Sequence, residues 1–207
     1  MTEIQPTLFP LGTSQTLPEG FGYCEQAVSF ETERSLLTQF ANLPFKEFQF
    51  RGFEGKRRII SYGWRYDYSD HKISPADPIP PFLLEVHRTI QATSGFVLRD
   101  PQQVLVSEYV PGAPIGWHKD RLVFGDVMGL SLASPCTFRL RKPLANGKWQ
   151  RAAVVLEPRS AYFLKGPVRW EWEHSIPPVN ALRYSITFRN LRQNAGEALI
   201  APSISRP

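Results

Sequence analysis

"VLVSEYVPGAPIGWHKD", residues 104–120, is the stretch on which the fold turns. It opens with "VLVSEYV", which has the composition and length of a β-strand. A Pro-Gly-Ala-Pro corner at residues 111–114 then redirects the chain. Past the corner, His118 and Asp120 stand two positions apart. In extended backbone, side chains at that spacing point the same way. An imidazole and a carboxylate therefore converge on one point, either as two ligands for one metal or as a base with its orienting acid.

Working outward, the downstream chain repeats the strand pattern. "CTFRLRK", "RAAVVLE", "SAYFLKG", "RWEWEHSI" and "ALRYSITFRNL" read as further strands, and Asn146-Gly147 in "LANGKW" signals a hairpin. Upstream, residues 29–43 put Phe30, Leu36, Leu37, Phe40 and Leu43 near one helical face, with Ser29 as the cap and Pro44 as the stop. Residues 79–95 form a second helix with a Leu83, Val86 and Ile90 stripe and Gly95 at its close. The expected organisation is one globular domain. It runs from an extended arm (1–28) through a helical region (29–103) to a β-rich core (104–192) and a polar, loose tail (193–207).

The chain has 207 residues, 42% hydrophobic and 21% charged, enough for one sizeable core. Nineteen prolines and 14 glycines favour short strands and turns over long helices. No apolar run is long enough to span a membrane, and the first residues lack a secretory pattern. Two distant cysteines, Cys24 and Cys136, suggest neither a disulfide framework nor a thiolate zinc site. A reducing cytoplasm is the expected compartment. A net charge of +5 favours a polyanionic partner such as nucleic acid.

In "LRYSITFR", Arg183, Ser185, Thr187 and Arg189 alternate with Leu182, Tyr184, Ile186 and Phe188. A sandwich with one wet and one dry side would explain most of this pattern. In "WEWEH", Trp170, Trp172 and His174 share a face. Added to His118 and Asp120, His174 completes two imidazoles and one carboxylate. That facial set suits non-haem Fe(II), although zinc hydrolases use similar ligands. Arg183 and Arg189 are six residues apart, about 20 Å along a strand, so they serve two points of one pocket. A buried arginine demands an anion, which a dicarboxylate cosubstrate would supply; for Arg189 a structural ion pair is the other reading.

These residues resemble the AlkB family of Fe(II)- and 2-oxoglutarate-dependent dioxygenases. The family pattern runs Asn-x-Tyr-x-x-Gly, Ile-x-x-His-x-Asp, a distal His, then Arg-x-Asn-x-Thr-x-Arg. Tyr109, Gly112, Ile115, His118, Asp120, His174, Arg183, Thr187 and Arg189 match it, while Ser107 and Ser185 replace the two asparagines. The resemblance implies an α+β, mainly β fold, with a double-stranded β-helix (jelly roll) core, flanking helices and a nucleotide-recognition lid around residues 48–69. It implies Fe(II) on His118, Asp120 and His174, with 2-oxoglutarate and O2 as cosubstrates. Ser107, Tyr109, Arg183, Ser185, Thr187 and Arg189 would line the 2-oxoglutarate pocket. The two serines, being shorter, would turn direct contacts into water-mediated ones.

The implied reaction is oxidative demethylation of N-alkylated bases in DNA or RNA by a monomer, releasing formaldehyde, succinate and CO2. Lys56, Arg57 and Arg58 are placed against phosphates. Tyr66 and Tyr68 match the lid's aromatic pair, while Trp64 is read as strand packing. Arg141, on one face with Thr137 and Arg139, reaches the base or its phosphate. Leu122 stands where some relatives place an acidic residue. The same fold acting on RNA or protein, and a non-catalytic nucleic-acid-binding module, are the competing readings.

Overall fold

The computed structural model describes residues 16–50, 53–67 and 72–192. In chain order the strands are β1 (Phe21–Cys24), β2 (Lys46–Phe50), β3 (Phe53–Tyr62), β4 (Trp64–Tyr66), β5 (Ile73–Pro75), β6 (Gln103–Tyr109), β7 (Ile115–His118), β8 (Phe124–Leu132), β9 (Cys136–Pro143), β10 (Trp149–Leu156), β11 (Ala161–Leu164), β12 (Glu173–Ile176) and β13 (Arg183–Leu191). The helices are α1 (Phe30–Phe40), α2 (Pro81–Ser94) and the single turn α3 (Pro167–Trp170). Two antiparallel sheets make the core. The larger has the order β1-β11-β8-β13-β6-β3-β2, and the smaller β10-β9-β12-β7. Phe138 of the small sheet meets Tyr162 of the large one, ring centroids 5.0 Å apart, so the two inner faces share one apolar layer.

The outer face of the large sheet is covered by the two long helices. Leu36 and Phe40 of α1, and Leu83, Val86 and Ile90 of α2, are buried against Ile186 and Phe188 of β13 and their neighbours. Both helix starts and one stop follow the sequence. The Ser29 hydroxyl accepts a hydrogen bond from the Thr32 amide at 3.1 Å, Pro81 opens α2, and Gly95 closes it at φ 71°. Glu33 reaches from α1 into the sheet's end loops, accepting from the Ala133 amide and pairing with Arg159 at 2.8 Å.

Four expectations change. The region before residue 104 is not purely an arm and two helices: β1 extends the large sheet beside β11, and β2 and β3 extend it beyond β6. β8, absent from the strand reading, is an interior strand of the large sheet, between β11 and β13. Its run "FGDVMGLSL" is covered on both faces and carries no alternation to read. "RWEWEHSI" is not one strand. Gly166 (φ 57°) and Pro167 start a helical turn, so Trp170 does not share a strand face with Trp172 and His174. Finally, the polar row of β13 is not a wet side: Arg183, Ser185, Thr187 and Arg189 are all buried, pointing between the sheets. Residues 1–15 of the arm, Tyr68, and the tail from 193 lie outside the described residues.

Candidate active site

β7 and β12 pair with His118 opposite His174, which sets the two imidazoles side by side with ring centroids 4.3 Å apart. His174 also stacks on Phe138 at 5.1 Å. The His118 Nδ1 lies 2.9 Å from the Gly116 carbonyl; as the donor in that bond it leaves Nε2 with the free lone pair. Asp120 follows directly after β7, with Oδ2 3.7 Å from His174 Nε2. Its Oδ1 accepts from Arg189 Nε and Nη2, at 3.0 and 2.6 Å. Among the described residues no three His, Cys, Asp or Glu side chains stand at closed metal-ligand spacing. Asp120 is drawn toward Arg189, so the trio meets in pairs, His118 with His174 and His174 with Asp120.

The protonation states nevertheless suit a cation. Burial, reinforced by neighbouring His118, pushes the His174 imidazole down to about 3, so it is neutral at ordinary pH. Burial likewise lowers His118. Burial alone would raise the Asp120 carboxyl, but Arg189 and both imidazoles outweigh it and hold the carboxyl well below the usual range. Two neutral nitrogens and an ionised oxygen form the donor set that non-haem Fe(II) takes. The donor chemistry of His118, Asp120 and His174 therefore fits the metal.

A second polar pocket lies one end of β13 away. Arg183 is 1% exposed, and its Nε donates to the Ser131 hydroxyl at 3.3 Å. The guanidinium lies over the Tyr109 ring at 4.9 Å, and its buried Nη1 has no hydrogen-bond partner among the described residues. A buried guanidinium without a carboxylate is costly, so this atom marks a place for an anion. Ser185 pairs with Ser107 on β6 and Ser131 on β8, which places three hydroxyl-bearing residues in one cross-strand row beside it. Thr187 continues the same face toward Arg189.

The remaining expected substrate residues scatter. Arg58 faces the helix-covered side of the sheet, where Nε and Nη2 donate to the buried Glu108 carboxylate at 2.7 and 3.0 Å. It is a structural ion pair rather than a phosphate contact. Arg57, opposite Tyr109 across β3 and β6, turns to the inner face, while Lys56 is exposed. Arg141 pairs in register with Glu173 while Leu140 pairs with His174, so it lies on the sheet face opposite the imidazoles. There it bonds Glu173 at 2.6 Å between Trp117 and Trp149, 4.3 and 4.2 Å from the ring centroids. It does not reach the site interior. Tyr66, in contrast, lies near the Asp120 loop, with the guanidinium of Arg121, next to Asp120, 4.9 Å from its ring centroid. Leu122 is exposed on the same loop.

Sequence reasoning missed Arg169. This buried guanidinium donates to the carbonyls of Gly125 (2.6 Å), Asp120 (3.3 Å), Arg121 (2.9 Å) and Phe124 (2.7 Å), tying down the loop that carries the carboxylate. It was hidden in "RWEWEH", where the supposed strand made it an outward residue. Gln103, which accepts from Arg189 Nη1 at 2.9 Å, and Ser131 were missed because their roles depend on partners 86 and 52 residues away.

A small jelly roll with a His-x-Asp and distal His site, next to a buried anion pocket, defines a class: the non-haem iron oxygenases that use a 2-oxo acid. Residues 30–189 match the 2OG-Fe(II) oxygenase superfamily, and the chain belongs to it. Within that superfamily it is an AlkB-family oxygenase, an enzyme using Fe(II), 2-oxoglutarate and O2. It is 27% identical over 203 residues to the tRNA (carboxymethyluridine(34)-5-O)-methyltransferase alkbh8 of Xenopus tropicalis, covering 93% of this chain and 31% of that protein. It is 32% identical over 156 residues to uncharacterized protein L905 of Acanthamoeba polyphaga mimivirus, covering 64% of this chain and 72% of that one. The solved structure of OsALKBH1 superposes with a TM-score of 0.67 at 16% identity, over 85% of this chain and 99% of the other. A Pseudomonas putida prolyl-4-hydroxylase superposes at 0.54 and 17%, over 84% and 93%. The chain spans less than a third of the length of the alkbh8 relatives from Xenopus and mouse.

Proposed function

We propose that this chain oxidatively removes N-alkyl groups from bases in nucleic acid, with His118, Asp120 and His174 holding Fe(II). Bound together, Fe(II) and 2-oxoglutarate supply the oxidising power, converting O2 and the 2-oxo acid to succinate and CO2 as the N-methyl carbon is hydroxylated. The hydroxymethyl amine then loses formaldehyde and leaves the unmodified base. Arg183 and Tyr109 bind the distal carboxylate of 2-oxoglutarate, with Ser131 orienting Arg183 at 3.3 Å. Arg189 fixes the Asp120 carboxylate, and Arg169 fixes the loop behind it. The buried Nη1 of Arg183, without a partner among the described residues, is the observation that carries the pocket assignment.

A nucleic-acid substrate is supported by the Tyr66–Arg121 pair beside the Asp120 loop, a flat surface and a cation suited to a flipped base and its phosphate. An Arabidopsis thaliana relative, 26% identical over 146 residues, bears the name alkylated DNA repair protein ALKBH8 homolog. RNA is the second reading, favoured by tRNA-named relatives that align over most of this chain. The test is a turnover panel of methylated single- and double-stranded DNA and RNA, scored for formaldehyde and succinate. Turnover on a methylated strand supports the reading. Succinate release unaffected by every nucleic acid, with turnover on a protein or small substrate, refutes it.

A further inference from the structure

We propose that Arg57 is a second guanidinium of the 2-oxoglutarate pocket, sharing the distal carboxylate with Arg183; this rests on the cosubstrate assignment above. Arg183, Tyr109 and Arg57 are register partners across β13, β6 and β3. Residues paired in this way project from the same face of a sheet. That face is the interior, because Arg183 and Tyr109 are 1% and 2% exposed. The two guanidinium carbons, of Arg183 and Arg57, lie 4.9 and 5.9 Å from the Tyr109 ring centroid.

The charges agree with this placement. Burial alone would raise the Tyr109 phenol, yet Arg57 and Arg183 together bring it below its usual range. The neighbouring row explains why a second cation is useful. Ser107 and Ser185 offer short hydroxyls where the family pattern has longer asparagine amides. A carboxylate has about four lone-pair sites, and one Arg fork fills two. Arg57, entering from the adjacent strand, reaches the sites that the serines leave.

The experiment measures binding, not turnover. Mn(II)-loaded wild type, Arg57→Ala and Arg57→Gln are titrated calorimetrically with 2-oxoglutarate and with 2-oxobutyrate, which keeps the 2-oxo acid end and lacks the distal carboxylate. Losing one charge-assisted contact should weaken 2-oxoglutarate binding by roughly 10- to 100-fold in Arg57→Ala, and less in Arg57→Gln. Binding of 2-oxobutyrate should not change. Equal weakening of both acids, or unchanged 2-oxoglutarate binding in both variants, would overturn the proposal. A reduced salt dependence of oligonucleotide binding with 2-oxoglutarate affinity intact would assign Arg57 to phosphate instead. Wild type that binds no 2-oxoglutarate would overturn the pocket assignment itself, and so is distinguishable from a failure of Arg57 alone.

Discussion

Replacing Arg183 with methionine should separate binding from stability in opposite directions. Methionine keeps the length and apolar stem of the side chain but removes the charge. Arg183 is 1% exposed, its Nη1 has no partner among the described residues, and its Nε donates to a neutral serine at 3.3 Å. With 2-oxoglutarate, the lost fork is worth about 3 kcal/mol, the upper range for a charge-assisted contact, or about a hundredfold in affinity. Without it, removing a buried charge whose side-chain hydrogen bond goes to a neutral serine relieves a desolvation cost. Replacing whole buried ion pairs by well-packed apolar side chains gains up to about 1–4 kcal/mol, which sets the upper scale. The Ser131 bond and the Tyr109 contact offset part of that, so the expected gain is about 1 kcal/mol, or roughly 2–4 °C in melting temperature for a domain of this size. The assay is a pair of thermal melts, with and without saturating 2-oxoglutarate, alongside calorimetric titration. The variant should melt higher alone and lose most of the ligand-induced rise. A lower melting temperature without ligand, or an unchanged affinity, would refute the reasoning that this arginine is held in waiting for an anion.

Alanine at His118, Asp120 or His174 should abolish turnover and weaken metal binding while circular dichroism stays near wild type; normal affinity in any one variant removes that residue from the ligand set. Tyr66→Ala should lower turnover on a methylated base by the loss of a stacking contact of about 1–3 kcal/mol, leaving the salt slope of oligonucleotide binding unchanged. Glu108 sets a pH dependence of stability. Burial alone would raise its carboxyl, but the hydrogen bonds from Arg58 and Tyr184 outweigh that and lower it. A depressed folded-state value stabilises the fold above the unfolded value of about 4.3 and is lost as pH falls below it. Glu108→Gln should therefore show a flatter loss of stability from about pH 5 to 3 than wild type, measured by urea unfolding. Arg58→Ala should destabilise by about 1–2 kcal/mol, most of it from a buried carboxylate left with Tyr184 alone, and should leave nucleic-acid salt dependence intact.

The elements whose signals are local were legible without a structure. Ser29 and Gly95 bound their helices because caps are decided by neighbouring residues, and Asn146-Gly147 turned its hairpin for the same reason. The spacing of His118-x-Asp120 and of the Arg183 to Arg189 row showed which polar side chains share a face, since a strand has a period of two whatever it packs against, and the resemblance then implied the oxygenase chemistry. Which side of a strand becomes interior is a different matter, because it depends on partners distant in the chain. Arg57, Arg58 and Arg141 read alike in sequence as basic residues near aromatics. Pairing with Tyr109, Glu108 and Glu173 sent the first into the barrel, the second to the helix side of the large sheet and the third to the outer face of the small sheet. Arg169 shows the same limit most sharply. Its four carbonyl partners lie 44 to 49 residues away, and only the closed fold brings that guanidinium behind the Asp120 loop.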